Sequence, residues 1–193
     1  MIIRLAVLAA AALFVAGSAD ATERYFPPKT GGDSWSDFPR APYSKHLVAM
    51  DEPSLWTTDM RTETYRILWL RSFDAPMVFR LTVTADGTAI LVTKKTDGEG
   101  SYEPGKMVVS KWTTIDREET QELLKALKLI NFWYLPTLLP NFTDGYDGAH
   151  WIVEAKKGRE YHVIDRWRDD RDPITDWALL VMKKSGENLK PIY

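Results

Sequence analysis

Residues 144–168 are the part of this chain that most constrains its fold. Apolar and polar side chains alternate there on both sides of Lys156-Lys157-Gly158, and such alternation is typical of half-buried β-strands. The Lys156-Lys157-Gly158 sequence suits a three-residue connection in which the glycine takes the left-handed conformation. The run therefore predicts a β-hairpin at the centre of a small antiparallel sheet.

The predicted turn also sets the register of this hairpin, because an odd loop pairs odd-numbered residues with odd-numbered ones. One face, which we predict to be core, then carries Trp151, Val153, Ala155, Tyr161, Val163 and Trp167. The other face carries His150, Ile152, Glu154, Glu160, His162, Ile164 and Arg166. We therefore expect any chemistry of the hairpin on this second, polar face.

A second hairpin is predicted where Asp86-Gly87 separates two β-prone runs, residues 78–84 and 88–93. Asp-Gly between such runs is a strong hairpin pattern, because glycine readily adopts the positive φ that tight turns need. Apolar and polar side chains alternate along the first arm, from Phe79 to Thr84. This alternation predicts that one face of the sheet is exposed to solvent.

Two helices are predicted from the residues that would begin them. Asp116 suits the N-cap of the first helix, and Glu119 would complete a capping box. Asp172 followed by Pro173 suits the start of the second. The first helix has an apolar stripe of Leu123, Leu124, Leu127 and Ile130, which we expect to lie on the sheet. The predicted fold is α+β: a single domain with an antiparallel β-sheet of about five strands, one long helix packed on one face and a C-terminal helix.

The N-terminal residues predict export. Arg4 supplies a positive charge, residues 5–15 are wholly apolar, and Ala19-Asp20-Ala21 has the small-x-small form of a signal-peptidase site. We expect residues 1–21 to be a signal peptide, cleaved after Ala21 to release a mature protein that is periplasmic or secreted. The apolar run is shorter than the ~20 residues that span a bilayer, so no membrane span is expected after cleavage.

Residues 22–60 are predicted to form a Pro/Gly-rich leader that wraps around or trails from a single domain at residues 61–193. Prolines and glycines, among them Pro39 and Pro42, are expected to prevent a regular helix or strand there. The leader is also rich in aromatic residues, in which disordered segments are depleted. We therefore expect part of it to dock on the domain.

Composition limits the classes of partner and of chemistry. The formal net charge of −2 offers no basic surface for a phosphate backbone, so no nucleic-acid partner is expected. The chain has no cysteine, which excludes disulfides, thiol chemistry and lipid attachment at a cysteine. The remaining candidate partners are a protein or a component of the cell envelope.

Six ionisable residues in or beside the hairpin are the candidate binding residues: Asp147, His150, Glu154, His162, Asp165 and Arg166. The sequence assigns no catalytic residue, metal ligand or cofactor. His150, Glu154 and His162 would form a three-ligand zinc set if they converged. A hydrolase would need Asp165 to orient a histidine beside a serine or threonine. A solvated sheet face with ion pairs explains the same residues without a site, and Asp147 is explained as a turn residue.

Three features together resemble a group of exported bacterial proteins of unknown function. They are the Asp86-Gly87 turn, the capped helix from Asp116 towards Trp133, and the strand Asp147-Gly148-x-x-Trp151-x-x-Glu154 with the strand that follows it. The resemblance covers about residues 65–167. It implies an α+β fold and export, and it implies no catalytic residue.

We therefore expect a non-enzymatic binding, inhibitor or accessory protein outside the cytoplasm. The alternatives are a periplasmic hydrolase and a metal-binding module, both built on His150, Glu154 and His162. The three hypotheses differ in geometry, because a hydrolase or a metal site needs His150 and His162 to converge in one cleft. A binding protein leaves them apart.

Overall fold

The computed structural model describes residues 25–28, 38–100, 102–139, 147–167 and 172–192. The predicted signal peptide at residues 1–21 lies outside these ranges. The strands are β1 (Thr64–Arg71), β2 (Met77–Val83), β3 (Ala89–Thr96), β4 (Met107–Ile115), β5 (Ala149–Lys157) and β6 (Glu160–Trp167). The helices are α1 (Arg40–Ala49), α2 (Arg117–Leu129) and α3 (Pro173–Lys183), with a 3-10 helix at Phe132–Tyr134. None of the helices in the described ranges is long and apolar enough to cross a membrane.

All six strands pair antiparallel in one sheet with the order β4-β3-β2-β1-β5-β6. The predicted α+β class and antiparallel sheet are therefore confirmed, with six strands in place of about five. Helices α2 and α3 have 13 and 11 residues, so the structure does not single out one long helix.

Helices α2 and α3 pack on the face of the sheet that carries Ile67, Phe79 and Trp151. The Asp116 side chain accepts a hydrogen bond from Glu119 N at 2.8 Å, which confirms the predicted N-cap of α2. The Asp172 side chain caps α3 through Ile174 N at 2.9 Å, with Pro173 in the first turn as predicted. Burying this face removes the apolar stripes of both helices from water, the main favourable term in folding.

The opposite face of the sheet is covered over β1, β2 and β5, so the predicted solvent-exposed face is wrong there. On β4 and the first part of β3 this face is exposed as predicted, with Ile90 and Trp112 open to solvent. Residues of the leader pack on the covered part and form a second apolar cluster with the strands. The buried members of this cluster are Tyr25, Phe26, Phe38, Tyr43, Leu47, Met50, Leu68, Leu70, Val78, Ile152 and Val163. The expected docking of part of the leader is confirmed, because its aromatic rings shield apolar residues of β1, β2 and β5 from water.

Helix α1 spans ten residues inside the segment that was predicted to lack regular structure. Pro42 does not prevent it, because it is the third residue of the helix. The first four N–H groups of a helix have no intrahelical acceptor, so a proline there removes no helical hydrogen bond.

The turn between β5 and β6 has two residues, Gly158 and Arg159, and the predicted three-residue connection is wrong. Lys157 pairs with Glu160, so even-numbered residues of one strand lie opposite odd-numbered residues of the other. Gly158 has φ +58°, the positive value that two-residue hairpin turns require. As a result His162, Ile164 and Arg166 share the face of Trp151, while Tyr161, Val163, Asp165 and Trp167 share the face of His150 and Glu154.

The Asp86-Gly87 hairpin forms as predicted between β2 and β3. Thr84 N donates to Thr88 O at 2.9 Å, and Gly87 has φ +86°. The Asp86 carboxylate accepts hydrogen bonds from the hydroxyl groups of Thr84 and Thr88, which lower the pKa of Asp86 to about 2.

Candidate functional site

Glu154 is buried in an ion pair rather than presented on a surface. Arg66 lies opposite it on β1, and Arg66 Nε donates to Glu154 Oε2 at 2.7 Å. The Tyr161 hydroxyl donates to the other carboxylate oxygen at 2.8 Å. Burial raises the pKa of the Glu154 carboxyl, while the charge of Arg66 and the hydrogen bonds from Tyr161 and Arg66 oppose the rise. Burial also raises the pKa of Tyr161 well above its usual value, so its hydroxyl stays protonated and donates.

The same buried network ties the leader to the sheet through Glu52. The Glu52 carboxylate lies 2.9 Å from Arg80 Nε and 3.0 Å from Lys94 Nζ, and its contact with Arg66 is longer, at 3.6 Å. Arg66 Nη1 also donates to the carbonyl of Pro53 at 2.6 Å. Glu52 follows α1, so these contacts hold α1 and the following turn on the sheet. The charged side chains of this network therefore stabilise the packing of the leader on the sheet.

His150 and Asp165 meet on the same face, beneath α1. His150 Nδ1 lies 3.1 Å from Asp165 Oδ1, and the Tyr43 hydroxyl donates to Asp165 Oδ2 at 2.5 Å. The Tyr43 oxygen is also 2.8 Å from His150 Nδ1, and the Trp167 ring packs against the imidazole with centroids 4.5 Å apart. Asp165 has no exposed surface and His150 is 7% exposed. This cluster joins α1 to β5 and β6.

Arg166 and His162 point to the other face and bind the segment that follows the 3-10 helix. Arg166 donates to the carbonyls of Pro136 and Thr137 at 3.1 Å each and pairs with Asp172, the N-cap of α3. His162 Nε2 donates to the carbonyl of Leu135 at 2.9 Å. Burial lowers the pKa of His162, and the nearby charge of Arg166 lowers it further, although the bond to Leu135 opposes both effects.

The six candidate residues therefore fall into separate groups instead of one site. Glu154 belongs to the Arg66 ion pair, His150 and Asp165 to the Tyr43 cluster, and His162 and Arg166 to the opposite face, while Asp147 is exposed. His150 and His162 cannot bind one metal ion together, since the sheet lies between their side chains. Across the parts of the chain that the structure describes, no three His, Cys, Asp or Glu side chains form a group that could hold a metal ion.

A different feature presents aromatic groups to solvent: the 3-10 helix Phe132–Tyr134. A run of aromatic residues directly after an amphipathic helix predicts side chains that fill one end of the interface between sheet and helix. Phe132 does so and is 1% exposed, but Trp133 is half-buried and Tyr134 is 90% exposed. The run of three aromatic residues was visible in the sequence, whereas the exposure of two of them depends on how the 3-10 helix leaves α2.

A cleft of about 450 Å³ opens on one side of this 3-10 helix, and we call it the aromatic cleft. It is lined by Glu63, Tyr65, Leu124, Leu127, Lys128, Asn131, Phe132, Trp133, Tyr134 and Lys157. A second depression of about 410 Å³ is lined by Trp133, Tyr134, Glu160 and Tyr161. Trp133 and Tyr134 thus border two concave surfaces.

The polar groups of the aromatic cleft carry charges of both signs. Glu63 pairs with Lys157 Nζ at 3.1 Å and also accepts a hydrogen bond from the Tyr65 hydroxyl. Burial raises the pKa of Tyr65, and the bond to Glu63 and its charge raise it further, so Tyr65 remains a donor. Lys128 lies in the last turn of α2 with an exposed side chain.

Comparison of the chain with models of protein families and with curated proteins found no match. The function proposed for the chain therefore rests on the geometry of its own residues.

Proposed function

We propose that this chain is an exported, non-enzymatic binding or accessory protein, and that its ligand site is the aromatic cleft. One observation carries the proposal. Five of the six ionisable residues that the sequence offers as a site are engaged in contacts that hold the leader, α3 and the segment after the 3-10 helix on the sheet. Trp133 and Tyr134, in contrast, border concave surfaces open to solvent. Ligand sites are typically concave and mostly apolar, with a few convergent polar groups. The aromatic cleft meets that description.

The separation of His150 from His162 supports a binding protein over the two alternatives. A metal module on His150, Glu154 and His162 would need the three side chains within one coordination sphere, and the register puts His162 across the sheet from the other two. Export remains a prediction from the N-terminal sequence and from the resemblance to exported bacterial proteins.

Nuclear magnetic resonance of the isotopically labelled mature chain, titrated with the low-molecular-mass fraction of an envelope extract, tests the proposed site. We expect amide shifts confined to residues 124–134, 63–65 and 157–161, and a shift of the Trp133 indole signal. Tyr134→Ala should weaken these shifts, because a ring that is 90% exposed can be removed without disturbing the core. Tyr102→Ala is the matched control, since Tyr102 is 67% exposed and lies in a loop away from the cleft. Shifts that map elsewhere and do not respond to Tyr134→Ala would contradict the proposal.

The contact between His150 and Asp165 favours a second candidate, a hydrolase in which Asp165 orients the imidazole. Against it stand the 7% exposure of His150 and the position of the Tyr43 hydroxyl beside both groups. Hydrolysis of p-nitrophenyl acetate by the purified chain tests it. Turnover above the buffer rate that disappears in His150→Gln, while near-ultraviolet circular dichroism stays unchanged, would favour the hydrolase over the binding protein.

A further inference from the structure

The aromatic cleft also indicates the chemistry of its ligand. We propose that it binds a small amphiphilic anion, with an apolar body against the aromatic and leucine walls and one negatively charged group beside Lys128. This inference rests on the proposed function, because it concerns the same site.

The walls of the cleft set the apolar part of the ligand. Leu124 and Leu127 come from α2, Tyr65 from β1, and Phe132 and Trp133 from the 3-10 helix. Phe132 and Trp133 pack edge to face with centroids 5.5 Å apart, so their orientations support each other. Tyr65, Leu127 and Phe132 are almost fully buried and form the floor of the cleft. An apolar ring or short chain gains by removing the partly buried Leu124 and Trp133 and the exposed Tyr134 from water.

The charged residues of the cleft determine the polar part of the ligand. Glu63 has Lys157 at 3.1 Å and the Tyr65 hydroxyl as partners, so its charge is compensated within the protein. Lys128 forms no ion pair or side-chain hydrogen bond with any part of the chain that the structure describes. One ammonium group without an ion-pair partner among the described residues, in a mostly apolar cleft, is complementary to a ligand with one negative charge.

The carbonyl groups at the C-terminal end of α2 do not occupy the Lys128 ammonium group. A cation in the last turn of a helix interacts favourably with the unsatisfied carbonyls there. In this chain Ile130 N donates to Ala126 O at 3.2 Å and Asn131 N donates to Lys128 O at 3.1 Å. These backbone bonds satisfy two of the terminal carbonyls, and the Lys128 ammonium donates to none of the others in the part of the chain that the structure describes. It is therefore available to a ligand.

The volume of the cleft and its single uncompensated positive charge narrow the class of ligand further. A volume of about 450 Å³ is near the lower end of the range for small-molecule sites. Polyphosphates and nucleic acids carry several charges and would meet one lysine with no ion-pair partner, together with the acidic Glu63. Monocarboxylates or monosulfonates on an apolar body fit both the walls and the single charge.

Two fluorescent probes separate the apolar contribution from the charge: 8-anilinonaphthalene-1-sulfonate and its uncharged analogue N-phenyl-1-naphthylamine. Both would be titrated into the folded mature chain and into Lys128→Met, Lys128→Arg and Tyr134→Ala. We expect Lys128→Met to weaken sulfonate binding about fivefold, the effect of losing one partly exposed ion pair, and to leave the uncharged probe unchanged. Lys128→Arg should retain sulfonate affinity, and Tyr134→Ala should weaken both probes.

Two control variants test whether the probes bind in the aromatic cleft. Lys125→Met removes an exposed lysine from the same helix outside the cleft, and Trp112→Ser removes a ring that is 71% exposed on β4. Neither should alter binding. If Lys128→Met binds both probes as the unaltered chain does, the proposal that the ligand is an anion is overturned. The proposal that the cleft binds a ligand is unaffected by that result. If Tyr134→Ala leaves both probes unaffected and Trp112→Ser weakens them, the proposed function itself is overturned.

Discussion

Arg66 and Glu154 lie directly opposite each other on β1 and β5, and their side chains form an ion pair with no exposed surface on either partner. Two charges removed from water in this way are stable only while both are present, because either one alone would remain buried without compensation. Glu52 adds a second carboxylate from the leader. The centre of the sheet and the leader are thus coupled electrostatically.

The first prediction follows from this pair. Glu154→Gln should lower the free energy of unfolding by about 3 kcal/mol, since it leaves the buried guanidinium without its nearest carboxylate. Urea denaturation followed by tryptophan fluorescence measures the change. Glu122→Gln, on the exposed side of α2, should change stability by less than about 0.5 kcal/mol. Equal effects of the two substitutions would show that the pair does not stabilise the fold.

Tyr43→Phe should loosen the contact of α1 with the sheet. It removes the hydroxyl that donates to Asp165 and leaves a fully buried carboxylate short of one donor, at a cost of about 1–3 kcal/mol. Hydrogen exchange followed by mass spectrometry should show faster exchange in residues 40–49. Tyr102→Phe, in an exposed loop, is the control and should leave that exchange unchanged.

The stability of the fold should depend on pH through His162. Burial lowers the pKa of His162 in the folded chain, so the unfolded chain binds a proton more readily. This contribution is fully present above the unfolded pKa of about 6.5 and is lost as the pH falls from there through the lower folded pKa. His162→Gln should retain a donor for the Leu135 carbonyl and remove this dependence. Melting temperatures of both chains between pH 5 and pH 8 measure it, and parallel curves would contradict it.

A chain that begins at residue 61 should fail to form a compact monomer. Removing the leader uncovers Leu68, Leu70, Val78 and Ile152, and it also takes Glu52 away from Arg80 and Lys94. The chain that begins at residue 22 is the comparison. Size-exclusion chromatography and near-ultraviolet circular dichroism distinguish the outcomes. A monomeric shorter chain with native circular dichroism would show that residues 61–193 are an independent domain.

The features that the sequence predicted correctly depend on residues close together in the chain. Asp116 and Asp172 act on N–H groups within three residues, and Gly87 acts on its own turn. The turn at Gly158 was local too, but Lys156-Lys157-Gly158-Arg159 fits a two-residue or a three-residue connection. A one-residue difference moves every following side chain to the other face. That ambiguity is why His162 and Arg166 were assigned to the face of His150.

The covered second face and the aromatic cleft depend on contacts between distant residues. Tyr43 meets His150 and Asp165 across more than one hundred positions of sequence. The aromatic content of the leader predicted that part of it docks on the domain, but nothing in its local pattern indicates that β1 and β5 are where it packs. The cleft likewise combines α2, β1, the 3-10 helix and the start of the β5–β6 turn. The sequence could therefore indicate the aromatic run at 132–134 but not the surface that it borders.

The position of β1 in the middle of the sheet has a consequence for biosynthesis. β1 to β4 are consecutive in the chain and can pair as soon as they have been made, whereas the other edge of β1 pairs with β5. Until β5 has been synthesised, that edge presents unpaired backbone groups beside apolar residues that are buried in the folded chain, such as Leu68 and Trp69. Open, apolar strand edges readily add strands from other molecules. Nascent chains that stop between Ile115 and Ala149 are therefore the species most exposed to aggregation, and the β5–β6 hairpin ends that exposure when it docks.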